Sequence, residues 1–234
     1  MRRYKRFFVD VEVDGVTLVA HTANTGAMTG MLRDGAPVLL TRHDDPKRKL
    51  HLELEAIRVD GGVGDVGAPV GDVGGGSWVS CNTIRSNRVA EAFVRGGVFP
   101  EFGACVDVRR ERSLGDSRVD LQLVHAGDDV TFVEVKSVTL REGARGLFPD
   151  AISERATKHV NELAKAAKKG HRVFLLYLVQ RNDVDVVAPA AAIDGDYAKA
   201  VANAANAGVG VVAAAVRVDD DGIGFARRVA VEVA

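Results

Sequence analysis

The chain of 234 residues sets 31 Lys and Arg against 32 Asp and Glu, for a formal net charge of −1, with 47% hydrophobic and 27% charged residues. That composition excludes intrinsic disorder, and the lack of any run of about 18 apolar residues excludes a membrane-spanning helix. A chain this long buries roughly 70–75% of the surface its unfolded form exposes, so it can hold a core without metal or disulfide staples, as one large domain or two small ones.

The first residues are basic at Arg2, Arg3, Lys5 and Arg6, but Asp10, Glu12 and Asp14 follow before an apolar h-region can form. The expectation is no signal peptide and a cytoplasmic protein. Strands are predicted at 7–13 and 16–22 around the hairpin signal Asp14-Gly15, then at 38–41 and at 50–59, where Leu50, Leu52, Leu54 and Ala56 alternate. Together they predict a small antiparallel barrel, which either Phe7 or Phe8 helps to fill. Residues 61–77 carry eight glycines, and Val63-Gly64-Asp65-Val66-Gly67 recurs as Val70-Gly71-Asp72-Val73-Gly74. This reads as an inserted flexible loop without chemistry, because it cannot offset its ordering entropy by burial. Cys81 and Cys105 are no disulfide framework and read as buried, reduced thiols.

A strand at 78–84 and a helix at 86–96, with Asn87 near its start and Gly96-Gly97 after it, place a domain boundary here, giving domains 1–85 and 86–234. Strands at 106–109, 118–124, 130–138, 173–180 and 209–216, with helices at 152–169 and 196–207, describe an α/β domain with mixed strand directions. The strand at 209–216, rich in Val and Ala, is open to two readings: burial on both faces, or pairing across a homodimer.

Near-neutral charge argues against a polyanionic partner, but its distribution is uneven. Residues 1–50 carry nine Lys and Arg against six Asp and Glu, whereas 101–150 carry seven against ten. Lys158, Lys165, Lys168, Lys169 and Arg172 then restore a positive stretch. Two basic stretches flank an acidic middle.

The chemistry concentrates in that middle. If 125–129 is the turn of a hairpin, Val124 faces Val130 and counting back puts Asp120 opposite Glu134, on one face and about 5 Å apart at Cβ. The strand period of two brings Lys136 to the same face. Two carboxylates and an ammonium among apolar neighbours suit a divalent cation, Mg²⁺ or Mn²⁺, and phosphodiester hydrolysis. An ordinary cross-strand salt-bridge set fits equally well, and a one-residue slip of register would turn Asp120 to the other face.

An Asp followed after a hairpin by Glu134-Val135-Lys136 resembles the core of PD-(D/E)xK nucleases. With Ser137-Val138-Thr139-Leu140 it is similar to the sugar fermentation stimulation protein family, whose members join an N-terminal OB-fold to a PD-(D/E)xK-type domain and are described as DNA-binding. The resemblance runs along nearly the whole chain: Tyr4-Lys5-Arg6-Phe7 with Asp10-Val11, His21 with Asn24-Thr25-Gly26-Ala27-Met28, Arg48-Lys49, Asn82-Thr83 and Asn87-Arg88. It continues through Glu111, Gly115 to Asp120, Phe148-Pro149-Asp150-Ala151, Arg155 and Lys158-His159. The 61–77 insertion falls between these motifs, and Leu121 stands where many members have Phe.

The resemblance implies a fold of an OB-like β-barrel followed by a mixed α/β nuclease-like domain, with Asp120 and Glu134 holding metal and Lys136 and Glu111 catalytic. Glu111 also has the plainer reading of a partner for Arg109 or Arg112. Arg118 would meet the nucleic acid; Arg155, Lys158 and His159, on the helix that follows, would contact the scissile phosphate or orient the carboxylates, with a capped and solvated helix face as the plainer reading. In the OB domain, Arg2, Arg3, Tyr4, Lys5, Arg6, Arg48 and Lys49 form the basic surface, joined by Asn24 and Thr25, whose turn either binds phosphate or only stabilises itself. Aromatics are 6% of the chain. Binding therefore leans on phosphate contacts, largely independent of sequence and sensitive to salt. The function expected is DNA binding with metal-dependent hydrolysis, and the alternative is a non-catalytic DNA-binding regulator of sugar (maltose-type) metabolism. A metabolite-responsive protein without nucleic-acid contact is a third class, for which no sugar site is visible.

Overall fold

The computed structural model describes residues 2–60, 76–115, 117–219 and 221–233. Six strands make the N-terminal sheet: β1 (Arg2–Tyr4), β2 (Phe8–Val13), β3 (Val16–His21), β4 (Val38–Arg42), β5 (Leu52–Asp60) and β6 (Gly76–Ser80). They run in the order β1-β2-β3-β5-β4, with β6 also paired to β5. The Asp14-Gly15 turn has φ of 52° and 78°, as a two-residue hairpin of the right twist requires. A second hairpin, invisible in the sequence because it lacks glycine, turns β1 onto β2 with Lys5 and Arg6 at φ 47° and 66°.

The expectation of a purely antiparallel barrel needs correction, since β3 and β5 pair in parallel at Ala20–Leu52 and His21–Glu53. Parallel neighbours are joined by a crossover rather than a tight turn, so no hairpin signal announces them. Neither Phe7 nor Phe8 belongs to the barrel core, which is built from smaller residues such as Val9, Val11, Ala20, Leu54 and Ile57. Phe7 is 40% exposed and stacks on His21, and Phe8 stacks on Tyr4. Of the glycine-rich stretch, 61–75 lie outside the described residues, and Gly76 and Ser77 open β6.

Where the sequence predicts strand to 84, the strand stops at Ser80 and α1 (Thr83–Arg95) begins, because the Asn82 side chain accepts a hydrogen bond from the Ile84 N–H. The cap is thus Asn82 and not Asn87, which lies one turn inside the helix. There follow β7 (Asp107–Leu114), β8 (Ser117–Val124), β9 (Val130–Val138), β10 (Leu140–Glu142), β11 (Arg145–Phe148), α2 (Glu154–Lys168), β12 (Arg172–Val179), β13 (Val186–Pro189), α3 (Gly195–Asn206), β14 (Gly210–Asp219) and β15 (Gly222–Val231). The nine strands form one sheet in the order β10-β11-β13-β15-β14-β12-β9-β8-β7.

Helix α1 packs Ala90, Phe93 and Val94 against one face, over Leu121, Leu123, Val133 and Val135. Helices α2 and α3, capped by Ser153 and Asp194, cover the other face over Val119, Phe132, Leu175 and Tyr177. Strand β14 is interior, between β12 and β15, and its residues 212–216 are buried on both faces. Its apolar run is explained within one chain, because a strand covered by helices on both sides reads as continuous hydrophobic sequence. Cys81 is buried in the barrel core while Cys105 is only half-buried, which corrects the expectation for the second thiol.

Candidate functional site

The hairpin β8–β9 has the register the sequence predicts, from Val124–Val130 to Leu121–Val133. The next pair would be Asp120 and Glu134, but the ladder ends one step short of it. Instead of a backbone bond, the Val135 N–H donates to Asp120 Oδ2 at 2.7 Å, and Asn87 Nδ2 of α1 donates to Oδ1 at 2.8 Å. Glu134 sits beside this opening, 3% exposed, with Lys136 Nζ and His159 Nδ1 both on its Oε1, at 2.7 and 2.5 Å. His159 comes from α2, so the two helices grip the two carboxylates from opposite faces of the sheet.

Burial, and after it the charge of Glu134, pushes the Asp120 carboxyl up to about 6. Burial works on Glu134 in the same direction, yet the hydrogen bond from His159 and the charge and hydrogen bond of Lys136 outweigh it and hold this carboxyl below its ordinary range. The site therefore has one carboxylate that keeps its charge and one whose charge is poorly compensated.

The strands are irregular at this point. In β7–β8, Arg110 pairs with Leu121 and Arg112 with Val119, which leaves Glu111 across from Asp120. Val108 and Leu121 pack under α1, but Leu114 and Val119 pack under α2. Inward alternation thus reverses on both strands at this level, and Glu111 absorbs the change with φ 53°, a left-handed conformation that costs a non-glycine residue about 1 kcal/mol or more. Glu111 is exposed, and among the described residues it makes no hydrogen bond or ion pair with Asp120 or Glu134, nor with Arg109 or Arg112. Arg109 pairs with Asp107.

Among the described residues no group of three or more His, Cys, Asp and Glu is arranged to hold a metal. The two carboxylates offer hard oxygen donors, and Asp120 lacks compensating charge. Such a set fits a cation that keeps most of its waters, as Mg²⁺ does, and not one needing a full protein cage. Arg118, Arg155 and Lys158 are exposed and without an acidic partner among the described residues, and Arg112 joins them. His159 is instead committed to Glu134.

In the N-terminal domain several predicted residues serve the domain junction. Arg3 donates to the carbonyls of Asn24 at 2.6 Å and Gly26 at 2.7 Å, and Asn24 Oδ1 accepts from the Gly26 N–H at 2.8 Å, an Asx turn. The turn docks on Asp150 of the second domain, whose Oδ2 accepts from the Met28 N–H at 3.1 Å. A Cβ on Gly26 would lie 2.6 Å from that oxygen. The turn's carbonyls and buried amide are thereby occupied, while Arg2, Lys5, Thr25 and Lys49 remain exposed and Tyr4 is half-buried beneath Arg2. Arg6 is exposed in the hairpin turn.

Arg48 points to a second polar cluster that the sequence reading missed. Glu53 accepts from His43 at 2.7 Å, Arg48 at 3.2 Å and Asn82 at 3.2 Å, and Glu55 accepts from Nε and Nη2 of Arg85 and from the Thr41 hydroxyl. Asn82 bridges the two carboxylates. The signal was present in Glu53 and Glu55, two carboxylates at spacing two on a strand of alternating Leu and Ala; only burial of both faces shows that they matter. Asn87 was visible as a motif residue, but its contact with Asp120 spans 33 positions and no local pattern carries it.

Comparison with known proteins follows this architecture. The family model of the SfsA N-terminal OB domain matches residues 1–64, and that of the sugar fermentation stimulation protein RE domain matches 84–222. A sugar fermentation stimulation protein homolog of Geotalea uraniireducens is 37% identical over 100% of this chain and 95% of its own length. Its counterpart in Maricaulis maris is 40% identical over 100% and 94%. The solved structure of Pyrococcus furiosus SfsA in complex with Ca²⁺ superposes with a TM-score of 0.84 at 25% identity, covering 100% of this chain and 94% of that one.

Proposed function

Because this chain belongs to the sugar fermentation stimulation protein family, we propose that it binds DNA and that its second domain hydrolyses phosphodiester bonds with a divalent cation held at Asp120 and Glu134. The observation that carries the reading is the pair itself: a half-buried Asp120 and a buried Glu134 at the point where the β8–β9 ladder opens, with Lys136 on the second. The relative crystallised with Ca²⁺ supports a divalent-metal site in the family, and Mg²⁺ or Mn²⁺ is the cation proposed here.

A cation bound at these carboxylates supplies a Lewis acid and lowers the pKa of water. The residues do the rest. Asn87 and the Val135 N–H fix both oxygens of Asp120, and His159 fixes Glu134, so the oxygens are aimed before substrate arrives. Lys136 lies at the same carboxylate and provides positive charge where negative charge develops on the phosphate oxygens. Glu111, on the strained rim across from Asp120, adds an acid at the mouth of the site. Arg118, Arg155 and Lys158 would track the backbone, with Arg2, Lys5, Arg6 and Lys49 of the OB domain as a second contact zone.

The test is incubation of labelled single- and double-stranded DNA and RNA with Mg²⁺ or Mn²⁺. The wild type should cleave DNA, and Lys136→Ala should be slower by about 10²-fold or more. No cleavage by the wild type on any substrate would overturn the hydrolytic reading. One observation favours the second reading, a non-catalytic DNA-binding regulator of sugar metabolism: Glu134 Oε1 is already shared by Lys136 and His159. In that case DNA binding persists without turnover.

A further inference from the structure

A cleft of about 550 Å³ lies between the two domains, with neither Asp120 nor Glu134 in its lining. Three parts of the fold line it with apolar side chains that do not close on one another: Leu40 of β4, Val89 and Ala92 of α1, and Ile223 at the tip of the β14–β15 hairpin. All four remain at least partly exposed. The volume is that of a site for a small organic ligand, and a junction between domains is a common place for one.

The charges in the cleft are unequal in a way that selects the ligand. Arg85 is closed off by Glu55, with both guanidinium contacts at 2.5–2.6 Å. Asp219 is paired with Arg217 at 2.6 Å. Arg88 lines the same cleft, and among the described residues it has no hydrogen bond and no ion pair. Among the charged residues that line the cleft, Arg88 alone is thus uncompensated among the described residues, and it stands beside the apolar side chains of Val89 and Ala92 on α1.

We propose that this cleft binds a small monoanionic molecule with an apolar ring or short acyl body, its anionic group paired with Arg88 and its body against Leu40, Val89, Ala92 and Ile223. Burying the body removes exposed apolar surface from water, and the single anion is what one free guanidinium can satisfy. A polyanion would need further free cations around the cleft, where Arg85 is already neutralised.

The probe is 1-anilinonaphthalene-8-sulfonate, an apolar aromatic with one sulfonate, titrated by fluorescence into the full chain in EDTA, so that the result is independent of any metal at Asp120 and Glu134. Its uncharged analogue N-phenyl-1-naphthylamine is titrated in parallel. Saturable binding of one dye per chain is expected. Arg88→Gln should weaken the sulfonate about fivefold or more and leave the uncharged dye unchanged. Ala92→Trp, at an exposed helix position that tolerates bulk, should abolish binding of both while circular dichroism reports an intact fold. Non-saturable binding, or equal affinity of wild type and Arg88→Gln for the sulfonate, would overturn the proposal. Displacement of the dye by an equimolar short single-stranded oligonucleotide would overturn it too, by making the cleft part of a nucleic-acid track.

Discussion

Asp120 and Glu134 differ by one methylene and lie at one opening of the sheet, yet their surroundings push them apart. Glu134 has the Lys136 ammonium and a His159 ring nitrogen on one oxygen, whereas Asp120 has only neutral donors and a carboxylate for a neighbour. Its carboxyl, at about 6, keeps a proton at pH values where an ordinary Asp has lost it. A cation must displace that proton, so affinity for Mg²⁺ should be level above pH 7 and fall about tenfold per pH unit below 6. Calorimetry between pH 5 and 8 reads this directly; a flat profile would contradict the environment described for Asp120, and Asp120→Ala should remove binding altogether. At the domain junction, Gly26 leaves no room for a side chain beside Asp150. Gly26→Ala should cost about 1–3 kcal/mol in denaturant titration, the usual range for overpacking. A neutral result would mean that the turn swings away from Asp150 at no cost.

Helix α1 joins the domains because its first turn belongs to both. Asn82 caps the helix and donates to Glu53 and Glu55 of the barrel, Thr83 bonds the Ala23 carbonyl, and Asn87 reaches Asp120 one turn later. The two asparagines should therefore separate in experiment. Asn82→Ala removes a cap and leaves the buried Glu53 and the half-buried Glu55 each short of a donor, so a loss of about 1–3 kcal/mol is expected in unfolding midpoints. Asn87→Ala removes one bond to one carboxylate; stability should stay within about 1 kcal/mol while Mg²⁺ affinity drops. Equal loss of stability in both variants would make Asn87 a fold residue and not a positioning residue. Sequence periodicity located this helix but began it at 86, because the asparagine that stops the strand and starts the helix does so with its side chain, which hydrophobic patterning does not register.

For the whole molecule, the distribution of charge matters more than its sum. Acid is clustered at Asp120 with Glu134 and at Glu53 with Glu55, while Arg112, Arg118, Arg155 and Lys158 stand exposed. DNA affinity should fall by two to three orders of magnitude between about 50 and 200 mM salt, the behaviour of several phosphate contacts, and should rise when a divalent cation is added. Gel-shift titrations across that range check both; affinity that ignores salt would exclude backbone recognition. No helix among the described residues is long and apolar enough to cross a membrane.

The sequence by itself determined the hairpin that carries Asp120 and Glu134 and its register, because these follow from alternation and turn chemistry over fewer than twenty residues, and it determined the two-part plan through the change from hairpin strands to alternating strands and helices along the chain and through motifs spread over its whole length. Tertiary structure alone decided that β3 and β5 run parallel, that the ladder opens at Asp120, that His159 belongs to Glu134, and that Asn24 and Gly26 serve Asp150. Each of these depends on groups far apart in the chain meeting through packing, and a one-dimensional pattern holds no record of which distant side chain fills a gap left by the backbone.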